Sequence, residues 1–192
     1  SNSLISLDKI ISNFEWEKRI LLLIADHEDI NLIRGVDNFF KEEACQNKDR
    51  NIADSQKGFR WDGIRFCYKV FTVSHAGLNN DNYKYLIWLD ADIIFKKPIE
   101  IDLLKQKLID NNTMMSYLGR GLKYHSECGF VIFNLSHSKI KEYFEEMMRM
   151  YVSNDIYKER EWHDSYIWDV VRKKFETKFK IKNKNIGSKD KT

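Results

Sequence analysis

Two carboxylates at the end of an apolar segment are the residues of this sequence best placed for chemistry. Asp90 and Asp92 follow the run YLIWL at residues 85–89. Side chains two positions apart in extended backbone point to the same side, so both carboxylates can meet at one point. Unpaired, they would raise each other's pKa. A divalent cation such as Mn²⁺ or Mg²⁺ removes that repulsion and can bridge to a substrate phosphate. The simpler alternative is that the pair caps a turn and binds nothing.

The elements around this pair predict a single α/β domain, residues 1–192, with a mostly parallel central sheet flanked by helices. Continuous apolar runs are typical of buried parallel strands, and apolar residues at helical spacing indicate amphipathic helices. The predicted strands are residues 19–25, 85–89, 113–118 and 129–135, and the predicted helices are residues 3–14, 29–40, 61–76, 101–109, 138–151 and 163–175. Open α/β sheets bind ligands at the carboxyl ends of their strands, which is where Asp90 and Asp92 stand.

The stretch YLIWLDADIIFKKP, residues 85–98, resembles the Asp-x-Asp region of GT-A fold glycosyltransferases and is most similar to the group that includes the retaining family-8 enzymes. The resemblance implies a Rossmann-like nucleotide-diphospho-sugar transferase fold. It implies transfer of a sugar from a nucleotide-sugar donor, with a UDP-sugar the leading expectation, to a carbohydrate or other hydroxyl acceptor. Asp90 and Asp92 would hold Mn²⁺, or Mg²⁺, on the donor diphosphate.

Three further segments are similar to family motifs in the same order. They are RWDGIRFCYK on the helix before the Asp-x-Asp strand, ECGFVIFN with Glu where the family has Asn, and WHDS with His-Asp where the family has Asp-Gln. The resemblance implies that Glu127 and Asp164 are the candidate general base or nucleophile. It implies the following substrate-binding residues: Trp61, Asp62, Arg65, Lys69, Ala91, Gly129 and His163.

Several of these residues also have an ordinary structural role open to them. Arg65 can pair with Asp62. Lys69, as a lysine on a helix, is usually solvated. Asp164 or Ser165 can cap the helix that starts there.

Two departures from the family pattern bear on the expected site. GT-A domains open with a nucleotide-binding strand, whereas this chain begins, on that pattern, at the helix that follows it. The family-8 enzymes also carry a later His-x-x-Gly-x-x-Lys element whose histidine completes the metal site, and no histidine follows His163. We therefore expect a chain trimmed at both ends, or a site that is incomplete or built differently.

Two other functions compete with glycosyl transfer. A haloacid-dehalogenase-like phosphatase would use Asp90 as nucleophile and Asp92 as acid and base. Against it, roughly 90 residues precede the pair and the later Gly-Asp-x-x-x-Asp element is absent. A GT-A-like domain that binds a sugar or a partner without catalysis is the other alternative.

Composition narrows the class of protein. A hydrophobic fraction of 43 %, an aromatic fraction of 14 % and a net charge of +3 exclude a disordered chain. The longest apolar run, residues 20–25, is too short to span a bilayer. Cysteines at 45, 67 and 128 favour reduced thiols in a cytoplasmic location, unless a targeting signal is missing from this chain. The lysine-rich residues 172–192 form either a solvated end or a strip for an anionic partner such as a membrane surface; we expect no nucleic-acid partner.

Overall fold

The computed structural model describes residues 20–25, 58–90, 93, 112–121 and 124–187. Five strands and three helices lie in this part of the chain. They are β1 (Ile20–Ala25), α1 (Gly63–Leu78), β2 (Tyr85–Asp90), β3 (Met115–Leu118), β4 (Glu127–Asn134), α2 (Ile140–Val152), α3 (Asp164–Phe179) and β5 (Lys184–Asn185), with 3-10 turns at Phe59–Trp61 and Asp155–Lys158. The helices predicted at residues 3–14, 29–40 and 101–109 lie outside the described residues.

The five strands form one mixed sheet in the order β1-β2-β4-β3-β5. β1 is parallel to β2, and β5 to β3, but β4 is antiparallel to both of its neighbours. The α/β class is therefore confirmed, and the prediction of a mostly parallel sheet is wrong. β3 and β4 are antiparallel because only residues 119–126 connect them, whereas a parallel crossover needs a dozen or more residues.

The two-residue alternation of β2 and β4 decides which side chains face the helices. Leu86 and Trp88 on β2, with Val131 and Phe133 on β4, belong to the core that the three helices complete. Asp90 continues the even-numbered series of β2, so its carboxylate lies on the helix-facing side of the sheet.

The helices pack closely on one another and on that face of the sheet. The apolar stripe of α2 is largely buried. Tyr143 and Phe144 are fully covered and Ile140, Met147 and Tyr151 are buried, whereas Met148 is only partly buried. Gly77 of α1 lies directly against Phe144, and a methyl group there would come within 2.1 Å of the ring. This contact sets how closely α1 approaches α2. No helix in the described ranges is both long and apolar enough to cross a membrane.

The basic C-terminal segment is not uniformly solvated. Arg172 is buried, forms ion pairs with Asp169 (2.9 Å) and Glu176 (2.8 Å), and stacks over the Tyr117 ring. Asp169 also accepts hydrogen bonds from the backbone and the hydroxyl of Ser126. Arg172 therefore helps to fix the start of β4 against α3 and does not belong to a solvated basic surface.

Candidate functional site

A largely buried lysine joins two of the predicted site carboxylates. Lys69 Nζ on α1 lies 2.8 Å from Asp90 Oδ1, 3.0 Å from Asp90 Oδ2 and 2.9 Å from Asp164 Oδ2. The side chain of Lys69 is only 14 % exposed, so the alternative of a solvated lysine is wrong. The end of β2 and the start of α3 are thus held together by one ammonium group.

The protonation states of Lys69 and Asp164 follow from these contacts. Burial acts to lower the pKa of Lys69, but the nearby carboxylates, Asp164 first, outweigh it and raise the pKa above its usual value. Burial acts to raise the pKa of Asp164, yet the Lys69 charge outweighs it and the pKa falls to about 2. Lys69 and Asp164 are both ionised at neutral pH.

Asp90 is held on the other side by its own strand and by β4. Trp88 Nε1 donates a hydrogen bond of 2.5 Å to Asp90 Oδ1. A methyl group at Gly129 would lie 3.2 Å from Asp90 Oδ2. The absence of a side chain at Gly129 therefore keeps the edge of this carboxylate open.

Glu127 lies beside this edge and is more exposed. Its Oε1 accepts a hydrogen bond from Gly129 N at 3.1 Å, and its Oε2 forms an ion pair of 2.8 Å with Arg120. The Glu127 side chain is 42 % exposed, compared with 8 % for Asp164. Of the two candidate catalytic carboxylates, Glu127 is the one that solvent can reach.

Asp164 does not cap its helix. The N-cap position of α3 is His163, which makes no side-chain capping bond, and Asp164 is the first helical residue. Its Oδ1 accepts a hydrogen bond from the backbone of Ser165 at 2.8 Å. The prediction that Asp164 or Ser165 takes the cap position is wrong, because the Asp164 carboxylate turns inward to the lysine.

The predicted residues at the start of α1 have structural contacts of their own. Asp62 caps α1, with Oδ1 accepting a hydrogen bond from the backbone of Arg65 at 3.1 Å. Trp61 Nε1 donates to the carbonyl of Arg160. The Arg65 side chain is exposed and lies one turn before Lys69 on the same helix.

Asp90 keeps limited capacity for a metal ion. Hydrogen bonds from Lys69 to Oδ2 and from Trp88 to Oδ1, together with the ion pair between Lys69 and Oδ1, already use a large part of the roughly four lone-pair positions of its carboxylate. The side chain is 33 % exposed. The residues fit a metal ion only if further ligands come from elsewhere; Ala91 and Asp92 lie outside the described residues.

A second polar cluster adjoins this site, and sequence reasoning missed it. The side chains of His125, Glu161 and His163 converge, with Glu161 Oε2 lying 3.3 Å from His125 Nε2 and 3.0 Å from His163 Nε2. Burial lowers the pKa of His125, despite the opposing charge of Glu161. The Glu-x-His spacing at 161–163 was the available local signal, because extended backbone puts both side chains on one side. His125 is too distant in sequence to have been paired with them.

Comparisons of this chain with protein families, with curated proteins and with solved structures find no match. Any function proposed for it therefore has to rest on the residues themselves and on the geometry just described.

Proposed function

We propose that this chain is a nucleotide-sugar-dependent glycosyltransferase, with the donor bound at the carboxyl end of β2. One observation carries the proposal. Lys69 of α1 contacts both Asp90 at the end of β2 and Asp164 at the start of α3. Gly129 of β4 lies beside the Asp90 carboxylate, and the motif resemblance assigns all four segments to one donor site. These segments are up to about a hundred residues apart in sequence, so their meeting is a property of the fold and not of local spacing.

In this proposal Asp90 and Asp92 hold the metal ion. Such an ion, when bound, neutralises the charge that develops on the leaving diphosphate. Lys69 keeps Asp90 and Asp164 at a constant separation. The exposed Arg65, one turn earlier on α1, is available for a bidentate contact to a phosphate.

The two candidate catalytic carboxylates take different roles. A group with a pKa of about 2 is a weak base at neutral pH, and Asp164 is buried against Lys69. Asp164 is therefore a positioning residue. Glu127, which is half exposed beside Gly129, is the carboxylate that faces the sugar and the acceptor hydroxyl.

Thermal unfolding with donor ligands tests the proposal. UDP, GDP, CDP and their sugars are added to the protein with and without Mn²⁺. A ligand at a hundred times its Kd stabilises a protein by about 2.7 kcal/mol, which for a chain of this size raises Tm by roughly 5–11 °C. We expect that rise with one nucleotide class only, and only when Mn²⁺ is present.

Two variants assign the effect to the site. Asp92→Asn should abolish the metal-dependent rise in Tm. Asp81→Asn removes a carboxylate of the same type that is 75 % exposed and pairs with Lys141, and it should leave the rise unchanged. Equal responses of the two variants, or no nucleotide-dependent shift in the wild type, would contradict the proposal.

Turnover assays separate the competing functions. Release of the sugar from the stabilising donor supports transfer chemistry. Stabilisation without any release favours a domain that binds the donor only. Hydrolysis of a phosphomonoester with Mg²⁺, without any nucleotide-dependent shift, favours the phosphatase in which Asp90 is the nucleophile.

A further inference from the structure

We propose that His125, Glu161 and His163 form a second metal site, which binds a divalent transition-metal ion of the Zn²⁺ class. Two imidazoles and one carboxylate are a ligand set that such ions favour. Its ligands differ from Asp90 and Asp92, the metal ligands expected for the donor site, and the proposal does not depend on the proposed function.

The donor atoms are already close to the spacing that a metal shell requires. Ligands about 2.0–2.2 Å from Zn²⁺ in a tetrahedral shell lie roughly 3.3–3.5 Å apart. His125 Nε2 and His163 Nε2 lie 3.3 and 3.0 Å from Glu161 Oε2, and the three groups offer donor atoms that all lie within 4.8 Å of one another. A small outward movement of these side chains would admit the ion.

The backbone that carries Glu161 and His163 is fixed on both sides. Trp162 N donates a hydrogen bond of 2.7 Å to the carbonyl of Arg60, and Trp61 Nε1 donates one of 3.1 Å to the carbonyl of Arg160. These bonds hold the segment against the 3-10 turn that precedes α1. The two side chains are therefore placed before any ligand binds.

The backbone of His125 is fixed in the same way. Arg120 Nε donates a hydrogen bond of 2.9 Å to its carbonyl, and the next residue, Ser126, donates its N–H and its hydroxyl to the buried Asp169. All three proposed ligands thus stand on tethered backbone, although His125 is far in sequence from Glu161 and His163.

The two oxygens of Glu161 have different neighbours. Oε1 lies 3.3 Å from Arg160 Nη2 and 3.8 Å from Arg60 Nη1, whereas both imidazole nitrogens approach Oε2. The Glu161 side chain is only 7 % exposed. One oxygen is therefore oriented by guanidinium groups while the other points into the space between the histidines, which suits a single carboxylate contact to a metal.

Groups behind the ligands resemble the outer layer of a metal site. His163 Nδ1 lies 3.9 Å from Asp164 Oδ1, which is longer than a hydrogen bond but places a carboxylate on the side of the ring where one commonly orients a ligating histidine. The His163 ring packs edge-on against Phe59 and Phe66, and the His125 ring against Tyr166. Three protein ligands leave a fourth position for water or a bound molecule.

Binding of Zn²⁺ itself is the direct test. Untagged full-length protein is stripped with a chelator, and Zn²⁺ is titrated in competition with a chromophoric chelator. X-ray absorption of the zinc-loaded wild type then counts imidazole ligands. We expect a high-affinity site whose shell contains two imidazoles and at least one oxygen, with Mg²⁺ unable to compete because it prefers oxygen ligands.

Four variants decide whether these residues are the ligands. His125→Ala and Glu161→Gln should each weaken that site by about tenfold or more. His75→Ala, which removes an exposed histidine hydrogen-bonded to Asn79, should leave it unchanged. Asp92→Ala should also leave it unchanged, which separates this site from the one proposed for the donor.

Several results would overturn the proposal. They are the lack of stoichiometric Zn²⁺ binding, a zinc shell with fewer than two imidazoles, or unchanged affinity in a folded His125→Ala variant. Because the absorption measurement uses the wild type, a variant that fails to fold does not prevent a decision. His125 is 25 % exposed, so we expect its alanine variant to fold.

Discussion

Replacement of Lys69 by methionine leaves two carboxylates facing each other with no cation between them. Methionine keeps the length and the apolar stem of the side chain, so packing changes little. Lys69 Nζ lies within 3.0 Å of both Asp90 and Asp164. Loss of the ammonium group affects Asp164 more, because it is the more buried of the two carboxylates. Removal of one member of a buried ion pair costs about 3–5 kcal/mol.

The lower end of that range is the expected loss in the free energy of unfolding at pH 7. Asp164 is 8 % exposed and bears the full cost, whereas Asp90 is 33 % exposed and is partly solvated already. A loss of about 3 kcal/mol lowers Tm by roughly 6–12 °C for a chain of this size. Urea unfolding followed by tryptophan fluorescence measures the difference directly.

The effect should depend on pH in a defined direction. In the wild type the pKa of Asp164 is lowered to about 2 from an ordinary value of 3.8. Its ionised form therefore stabilises the fold above about pH 4, and that contribution is lost as the pH falls towards 2. Without Lys69, burial raises this pKa instead. The variant should thus approach the wild type in stability as the solution is acidified from pH 7 to pH 3.

An exposed ion pair provides the matched control. Lys141 Nζ lies 2.7 Å from Asp81 Oδ1, but the two side chains are 53 % and 75 % exposed. Lys141→Met should cost no more than about 1 kcal/mol, because water screens such pairs. Adding Asp164→Asn to Lys69→Met should recover a large part of the lost stability, since it removes the unpaired charge. A Lys69→Met variant no less stable than Lys141→Met, or no recovery in the double variant, would refute this account of Lys69.

Three further predictions concern packing, electrostatics and thiol reactivity. Gly77→Ala should lower the free energy of unfolding by about 1–3 kcal/mol, because its methyl group would meet the buried Phe144 ring at 2.1 Å. Urea unfolding measures the change, and a stabilised variant would show that α1 and α2 can move apart. Glu146→Gln should cost about 1 kcal/mol at pH 7 and much less near pH 2, where Glu146 is partly protonated. The reason is that hydrogen bonds from an arginine of α2, opposed by burial and aided by a lysine of α3, lower the pKa of Glu146 to about 2. An equal loss of Tm at both pH values would argue against these pairs. Burial raises the pKa of Cys67 to about 12 and raises that of Cys128 well above its usual value. Mass spectrometry should therefore find both thiols unmodified by a disulfide reagent at pH 8 until urea unfolds the chain. Modification at the rate of a free thiol would contradict their burial.

Within the described residues, helices and strands could be predicted where their signals are local. The α2 stripe and the run before Asp90 are readable within one or two turns, and the structure has both elements at these places. The same run predicts Asp90 at the carboxyl end of a buried strand. Strand direction was predicted wrongly, although the short connection before β4 held the information.

Local sequence patterns were enough to predict α1, α2, α3 and the strand that ends at Asp90, while the donor-site residues stay a prediction. The position of Lys69 between Asp90 and Asp164, and the meeting of His125 with Glu161 and His163, depend on the tertiary structure. These contacts join residues far apart in the chain, so no periodicity or spacing encodes them. They follow from the packing of α1 and α3 on the sheet, which brings the charged groups together. The free energy lost when one partner is removed then depends on how deeply the pair is buried.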